Sequence, residues 1–224
     1  MAESTNRGIP LVAPVRRAVM TLSAVILVLA DYWLVFTKTP RLLPLAVISI
    51  GVLAVIYLVS SRNAVSLGLT LKPVRGYSYW VRAALAIGLG VAAFATISSI
   101  LLGLVGVRLP PIAVPPGLLW QMFVTTCLLT PVIEEVAYRL ILCNAAEGIL
   151  GTWGTIALSG VAFAALHVFS ANIGPDNLIA GLVLAWAFLR SRSIVIPIAM
   201  HALGNLAVLL WQLGTWYWFF GRGV

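Results

Sequence analysis

The sequence predicts an all-α fold: a polytopic transmembrane helical bundle of about seven spans (six to eight), with its N-terminus cytoplasmic. Three observations carry that expectation. Of 224 residues, 62% are hydrophobic and only 9% are charged, and the mean hydropathy is +1.07. Apolar runs near the roughly 20 residues that a helix needs to cross a bilayer recur along the chain. No polar stretch is long enough to form a soluble domain beside them, so residues 1–224 read as a single integral-membrane domain.

The first segment, Ala18 to Phe36, follows Arg16-Arg17, and with Val28-Leu29-Ala30 it resembles a cleavable signal peptide. The run continues through Tyr32-Trp33-Leu34-Val35-Phe36 to spanning length, which favours an uncleaved helix. Thr37-Lys38-Thr39-Pro40 is turn chemistry ahead of the second segment, Leu42 to Ser60. Lys72-Pro73 precedes the third, Ala83 to Val105, and Pro110-Pro111 with Pro115-Pro116 separates it from the fourth, Leu118 to Leu142. The fifth, Gly154 to Ser170, ends before Gly174-Pro175-Asp176. The sixth, Asn177 to Leu189, is short enough to be covered by protein rather than lipid, and the seventh is Ile194 to Leu213. No internal repeat or low-complexity tract is visible.

The formal charge of +8 does not indicate nucleic acid, because the cations lie between apolar runs and not in a patch with stacking aromatics. They act as topology signals. With the N-terminus inside, Arg7, Arg16, Arg17, Arg62, Lys72, Arg75, Arg82, Arg190 and Arg192 fall on the inner side, against Lys38, Arg41, Arg108 and Arg222 outside. Trp80, Trp120, Trp153, Trp211 and the Trp216-Tyr217-Trp218 cluster sit near segment ends, as interfacial anchors do. Cys127 and Cys143 are roughly 24 Å apart along one helix and cannot bridge there, so cysteine says nothing of the redox compartment.

Against this background "PVIEEVAYRL", residues 131–140, places Glu134, Glu135 and Arg139 in an apolar segment. A charge at bilayer depth costs about 2.5 to 3.5 kcal/mol on insertion scales, so such residues are functional candidates. Glu135 and Arg139 are spaced i, i+4 with the acid first, the better orientation for an ion pair. Glu134 points about 100° away round the helix, without that partner, and is the carboxylate available to take a proton from water. Pro131 can bend the helix and free a carbonyl nearby. The chain has only two histidines, His167 and His201, both in apolar segments. Phe163 with His167, and His201 with Asn205, share the i, i+4 spacing that puts each pair on one helix face. From the turn near Gly148 to Gly151, Glu134 and His167 lie at comparable depths of roughly 20 to 24 Å. His201 is shallower, reachable by tilt or by a kink at Pro197. Asp176 is most simply a turn residue or helix cap, Asp31 is interfacial or pore-facing, and neither is assigned to the site.

Glu-Glu-x-x-x-Arg, Phe-x-x-x-His and His-x-x-x-Asn on successive hydrophobic regions resemble the CAAX protease and bacteriocin-processing (CPBP) family, relatives of type II CAAX prenyl endopeptidases. The motifs run from Trp120 to Asn205, within a protease core of about 118–213, and the first three segments carry nothing diagnostic. The resemblance implies an intramembrane endopeptidase. It makes Glu134 the general base with His167 as its partner, and His201 and Asn205 the oxyanion donors. Glu135 and Arg139 would hold the site's shape or touch substrate, and Phe163 would pack its wall. No metal ligand is assigned, since the glutamate helix is not His-Glu-x-x-His, but zinc stays open as a cofactor.

Two other classes use the same residues: a transporter or proton pathway with the Glu/His cluster as its relay, and a non-catalytic immunity or scaffold protein. Inverted repeats would favour the transporter, and none is found. The expected partners are the bilayer and a membrane-associated peptide or protein substrate, prenylated or not, with no nucleic acid and no indication of oligomeric state. A short chain without further domains is taken to be bacterial and to lie in the cell membrane.

Overall fold

The computed structural model describes residues 13–60, 63–106, 112–170 and 175–221, where every regular element is helical. The first three helices are α1 (Ala13–Phe36), α2 (Leu42–Val59) and α3 (Gly76–Leu104). A continuous 54-residue helical run, Pro116–Phe169, follows. It contains α4 (Leu119–Met122), a π-helix (Phe123–Leu129), α5 (Thr130–Glu135), a second π-helix (Val136–Cys143) and α6 (Asn144–Phe169). The chain closes with α7 (Pro175–Ser191) and α8 (Val195–Phe219).

Each of the seven expected segments is helical. Among the described residues, five stretches are long and apolar enough to cross a membrane: α1, α2, α3, the run Pro116–Phe169 and α8. That run covers two of the expected segments, and the 17-residue α7 falls short of spanning length, as the shortness of the sixth segment predicts. Arg7, Arg62, Arg108 and Arg222, four of the cations used for orientation, lie outside the described residues, as do Pro110, Pro111 and Gly174.

The long run becomes two arms at Gly151, whose φ of 66° and ψ of 179° are open essentially to glycine alone. Beyond that break α6 lies back along the second π-helix. Ser159 Oγ donates to the Tyr138 carbonyl at 3.3 Å, and the Tyr138 and Phe163 rings meet edge to face at 5.6 Å. The largest apolar cluster forms where these arms meet the first two helices, joining Ala24, Leu27, Leu45 and Ile56 to Tyr138, Ile141, Phe163 and Leu166.

The α1–α2 turn is tightly built. Thr39 N–H reaches back to the Leu34 carbonyl and Lys38 N–H to Val35, while Lys38 takes the left-handed φ of 55° that such a helix end requires. Pro40 then prevents continuation, and Arg41 begins α2 with its carbonyl accepting from Leu45 N–H.

Trp80 corrects one expectation. It is 2% exposed, donates Nε1–H to the Val74 carbonyl at 2.8 Å and packs edge to face on Trp186, anchoring the start of α3 to the protein. Trp120, Trp153, Trp211 and Trp218 are exposed. Cys127 and Cys143 are both buried and free.

Helices α6 and α7 cross at Gly160 and Gly181, where a Cβ added to Gly181 would stand 2.8 Å from the Gly160 carbonyl oxygen. Backbone cannot rotate away as a side chain can, so Gly181→Ala is expected to force the helices apart at a cost of about 1 to 3 kcal/mol. A lowered thermal unfolding midpoint of the purified protein in detergent checks this, and an unchanged midpoint would refute it.

Candidate active site

The site is assembled from α5, the π-helices on either side of it, α6, α8 and the α1–α2 turn. Glu134 and Glu135 end α5 and are 1% and 0% exposed. As the i, i+4 spacing predicts, Glu135 pairs with Arg139, Oε2 to Nε at 3.1 Å with neither side chain exposed. The contact is ionic rather than an aligned hydrogen bond, since neither of those two atoms has a hydrogen-bond partner. Arg139 instead donates Nη2–H to the Gly181 carbonyl at 3.2 Å and lays its guanidinium 4.8 Å above the Phe163 ring. A buried cation is thus met by an anion, a carbonyl and a π face.

Phe163 is the hub of the wall. Its ring lies 4.4 Å from that of His167, 5.9 Å from that of His201 and 5.6 Å from that of Tyr138. His167 Nδ1 is 2.8 Å from the Phe163 carbonyl, one turn back on the same helix. A carbonyl only accepts, so Nδ1 carries the hydrogen and Nε2 is the nitrogen free to bind a proton.

His201, in the second turn of α8, stands between the two glutamates. Its Nδ1 is 2.8 Å from Glu135 Oε1 and its Nε2 is 3.9 Å from Glu134 Oε2. By the same logic the carboxylate assigns the hydrogen to Nδ1 and turns Nε2 toward Glu134. Pro197 sits in the first turn of α8, where a missing N–H leaves no carbonyl unpaired, so His201 is presented without the kink that the depth estimate allowed for.

Asn205 is positioned by the π-helix. Thr130 N–H bonds the Thr125 carbonyl, an i to i−5 register, and the next donor in that register would be residue 131 bonding to Thr126. Residue 131 is proline and has no N–H. The freed Thr126 carbonyl accepts from Asn205 Nδ2 at 2.7 Å. Pro131 therefore does free a carbonyl beside the site. Only the amide nitrogen can face that carbonyl, so the orientation of Asn205 is set and the second Nδ2 hydrogen is left over.

Two expectations fail: Glu134 is not left without a cation, and Asp31, which the sequence reading left out of the site, belongs to it. Arg41, at the start of α2, brings Nη1 to 2.5 Å from Glu134 Oε1. It is itself held by Asp31, Nε to Oδ1 at 2.5 Å and Nη2 to Oδ2 at 3.0 Å. Asp31 is 1% exposed and also accepts the Tyr138 hydroxyl at 2.9 Å. Of the chain's six acidic residues, Asp31, Glu134 and Glu135 all join this network. Asp31 could have been found: a lone acid in an apolar segment is a functional candidate by default. Arg41 could not, because nothing local distinguishes it from a topology cation and its partner is 93 residues away.

The remaining oxygen, Glu134 Oε2, is buried without a hydrogen bond and faces His201 Nε2. Among the described residues no three His, Cys, Asp or Glu side chains are grouped to hold a metal ion. The two glutamates are engaged by Arg41, Arg139 and His201.

A family model described as type II CAAX prenyl endopeptidase, Rce1-like, matches residues 115–207. The match contains Glu134, Glu135, Arg139, Phe163, His167, His201 and Asn205, and it begins after α3, leaving Asp31 and Arg41 outside. No curated protein and no solved structure matches the chain.

Proposed function

We propose that this chain, whose residues 115–207 form an Rce1-like type II CAAX prenyl endopeptidase domain, is an intramembrane endopeptidase that cleaves a membrane-associated protein or peptide. The observation that carries the proposal is the convergence at Glu134. Its Oε2 is buried and without a hydrogen bond, 3.9 Å from an imidazole on another helix, while its Oε1 is engaged by a guanidinium.

Glu134 Oε2 takes a proton from a water, and the oxygen so activated attacks the scissile carbonyl carbon. His167, with Nε2 open, orients that water. The tetrahedral oxyanion is stabilised by the spare Nδ2 hydrogen of Asn205 and by the His201 imidazole, and a donor of this kind is worth about 3 kcal/mol of barrier. The C–N bond then breaks, and the proton held by Glu134 passes to the leaving amine. Glu135 fixes His201 through Nδ1 and Arg139 fixes Glu135, so both act through others.

Purified protein in vesicles, presented with membrane-tethered peptides that include C-terminally prenylated ones, tests this. Wild type is expected to cleave at a single bond, and His167→Ala to lose about 10²-fold or more, the scale of an acid–base contribution. Equal turnover by His167→Ala would overturn the assignment of that residue. Loss of activity with a chelator would move the chemistry to a metal. Proton or ion flux without cleavage would replace the peptidase with a transporter.

A further inference from the structure

The α1–α2 turn lies outside the Rce1-like match, yet it supplies the cation that engages the glutamate to which catalysis is assigned. An arginine at a helix end in a membrane protein ordinarily extends its charge toward water. Arg41 does the opposite: its side chain is 19% exposed and points inward at two carboxylates that are each 1% exposed. The direction is imposed by Asp31, which grips the guanidinium at two nitrogens, and Asp31 is fixed in turn by the Tyr138 hydroxyl. Because the guanidinium is planar and rigid, a two-point grip on Nε and Nη2 fixes the plane in which the two Nη1 hydrogens lie, and Nη1 donates to Glu134 Oε1. The charge count agrees. Asp31, Glu134 and Glu135 face Arg41 and Arg139, so removing Arg41 would leave three buried carboxylates against one guanidinium.

The arrangement distinguishes the two oxygens of Glu134. Oε1 is occupied by Arg41, whereas Oε2 faces His201 Nε2. We propose that Arg41 is a positioning residue for hydrolysis: clamped by Asp31 and Tyr138, it holds the Glu134 carboxylate so that Oε2 is the oxygen offered to water. The α1–α2 hairpin is thereby part of the active site. This rests on Glu134 acting as the base. Asp31 and Tyr138 act only through Arg41, and their side chains take no part in the reaction.

The test uses the full chain in vesicles and the peptide that wild type cleaves fastest. Arg41→Gln is expected to lower kcat by about 10- to 100-fold, the cost of a misplaced reacting group, with KM within about twofold of wild type. Arg41→Lys keeps the charge without the fork and is expected to recover part of that loss. The double substitution Asp31→Asn with Arg41→Gln removes both charges at nearly constant shape and so protects the fold. It is expected to show the same kcat as Arg41→Gln alone, because Asp31 has no role once the guanidinium is gone. Lys38→Gly removes the neighbouring loop charge at a left-handed position that glycine accepts, and it is expected to leave activity unchanged. Wild-type kcat in Arg41→Gln and in the double variant, with Glu134→Gln inactive, would overturn the role of Arg41 and leave the peptidase standing. Wild-type kcat in Glu134→Gln would remove the base itself, and the clamp with it.

Discussion

Glu134→Gln is expected to abolish peptide hydrolysis while leaving the helical bundle intact. Glutamine keeps the shape of the side chain and can still accept from Arg41 Nη1 through its amide oxygen, so the link across to α2 survives. The amide cannot take a proton from water near neutral pH. The loss expected is that of a general base, about 10² to 10⁴-fold in kcat. Oε2 has no hydrogen bond to lose, and the change also removes one of the three buried carboxylates, so stability should not fall with activity. Turnover by purified Glu134→Gln, compared with its thermal unfolding midpoint, separates the two effects. Activity within tenfold of wild type would remove Glu134 from the chemistry.

The second large effect is on stability. Arg139 is completely buried, and Arg139→Leu would leave Glu135 charged, buried and bonded only to His201. Breaking a buried pair by removing one partner costs about 3 to 5 kcal/mol, whereas replacing both partners by residues of similar shape is often neutral. Arg139→Leu alone is therefore expected to lower the unfolding midpoint sharply. Glu135→Gln combined with Arg139→Leu is expected to recover much of the loss, since the amide oxygen of the introduced glutamine can still accept from His201 Nδ1. The same double variant should remain slow in catalysis, because a neutral amide holds His201 less firmly than a carboxylate does. If the single and double variants melt together, the ion pair does not hold the site.

Local physics made much of this molecule legible. Apolar runs bounded by Pro, Gly and Lys marked every helix, because crossing a bilayer requires each backbone amide to be satisfied within its own segment. The i, i+4 rule placed Glu135 against Arg139 and put His201 on the same face as Asn205. The freed carbonyl at Pro131 was likewise a local consequence, although its pairing with Asn205 needed the π register, which no residue pattern announces. Trp80 departs from the expectation because a tryptophan at a helix end looks the same whether lipid or another helix receives it, and here Trp186 does.

What the amino-acid sequence determined by itself is the class of the molecule and its scarce polar inventory: an all-helical membrane chain whose glutamates and histidines are too costly in lipid to be incidental. What only the tertiary structure decided is which cation meets which carboxylate. Glu134 is joined to Arg41 and Asp31 on helices that the motifs do not include, and His201 is set between both glutamates. The physical reason is range. Helix formation and i, i+4 pairing act over a few residues and leave a periodic trace, whereas Coulomb attraction in a low-dielectric interior acts through space and is indifferent to the chain separation of its partners.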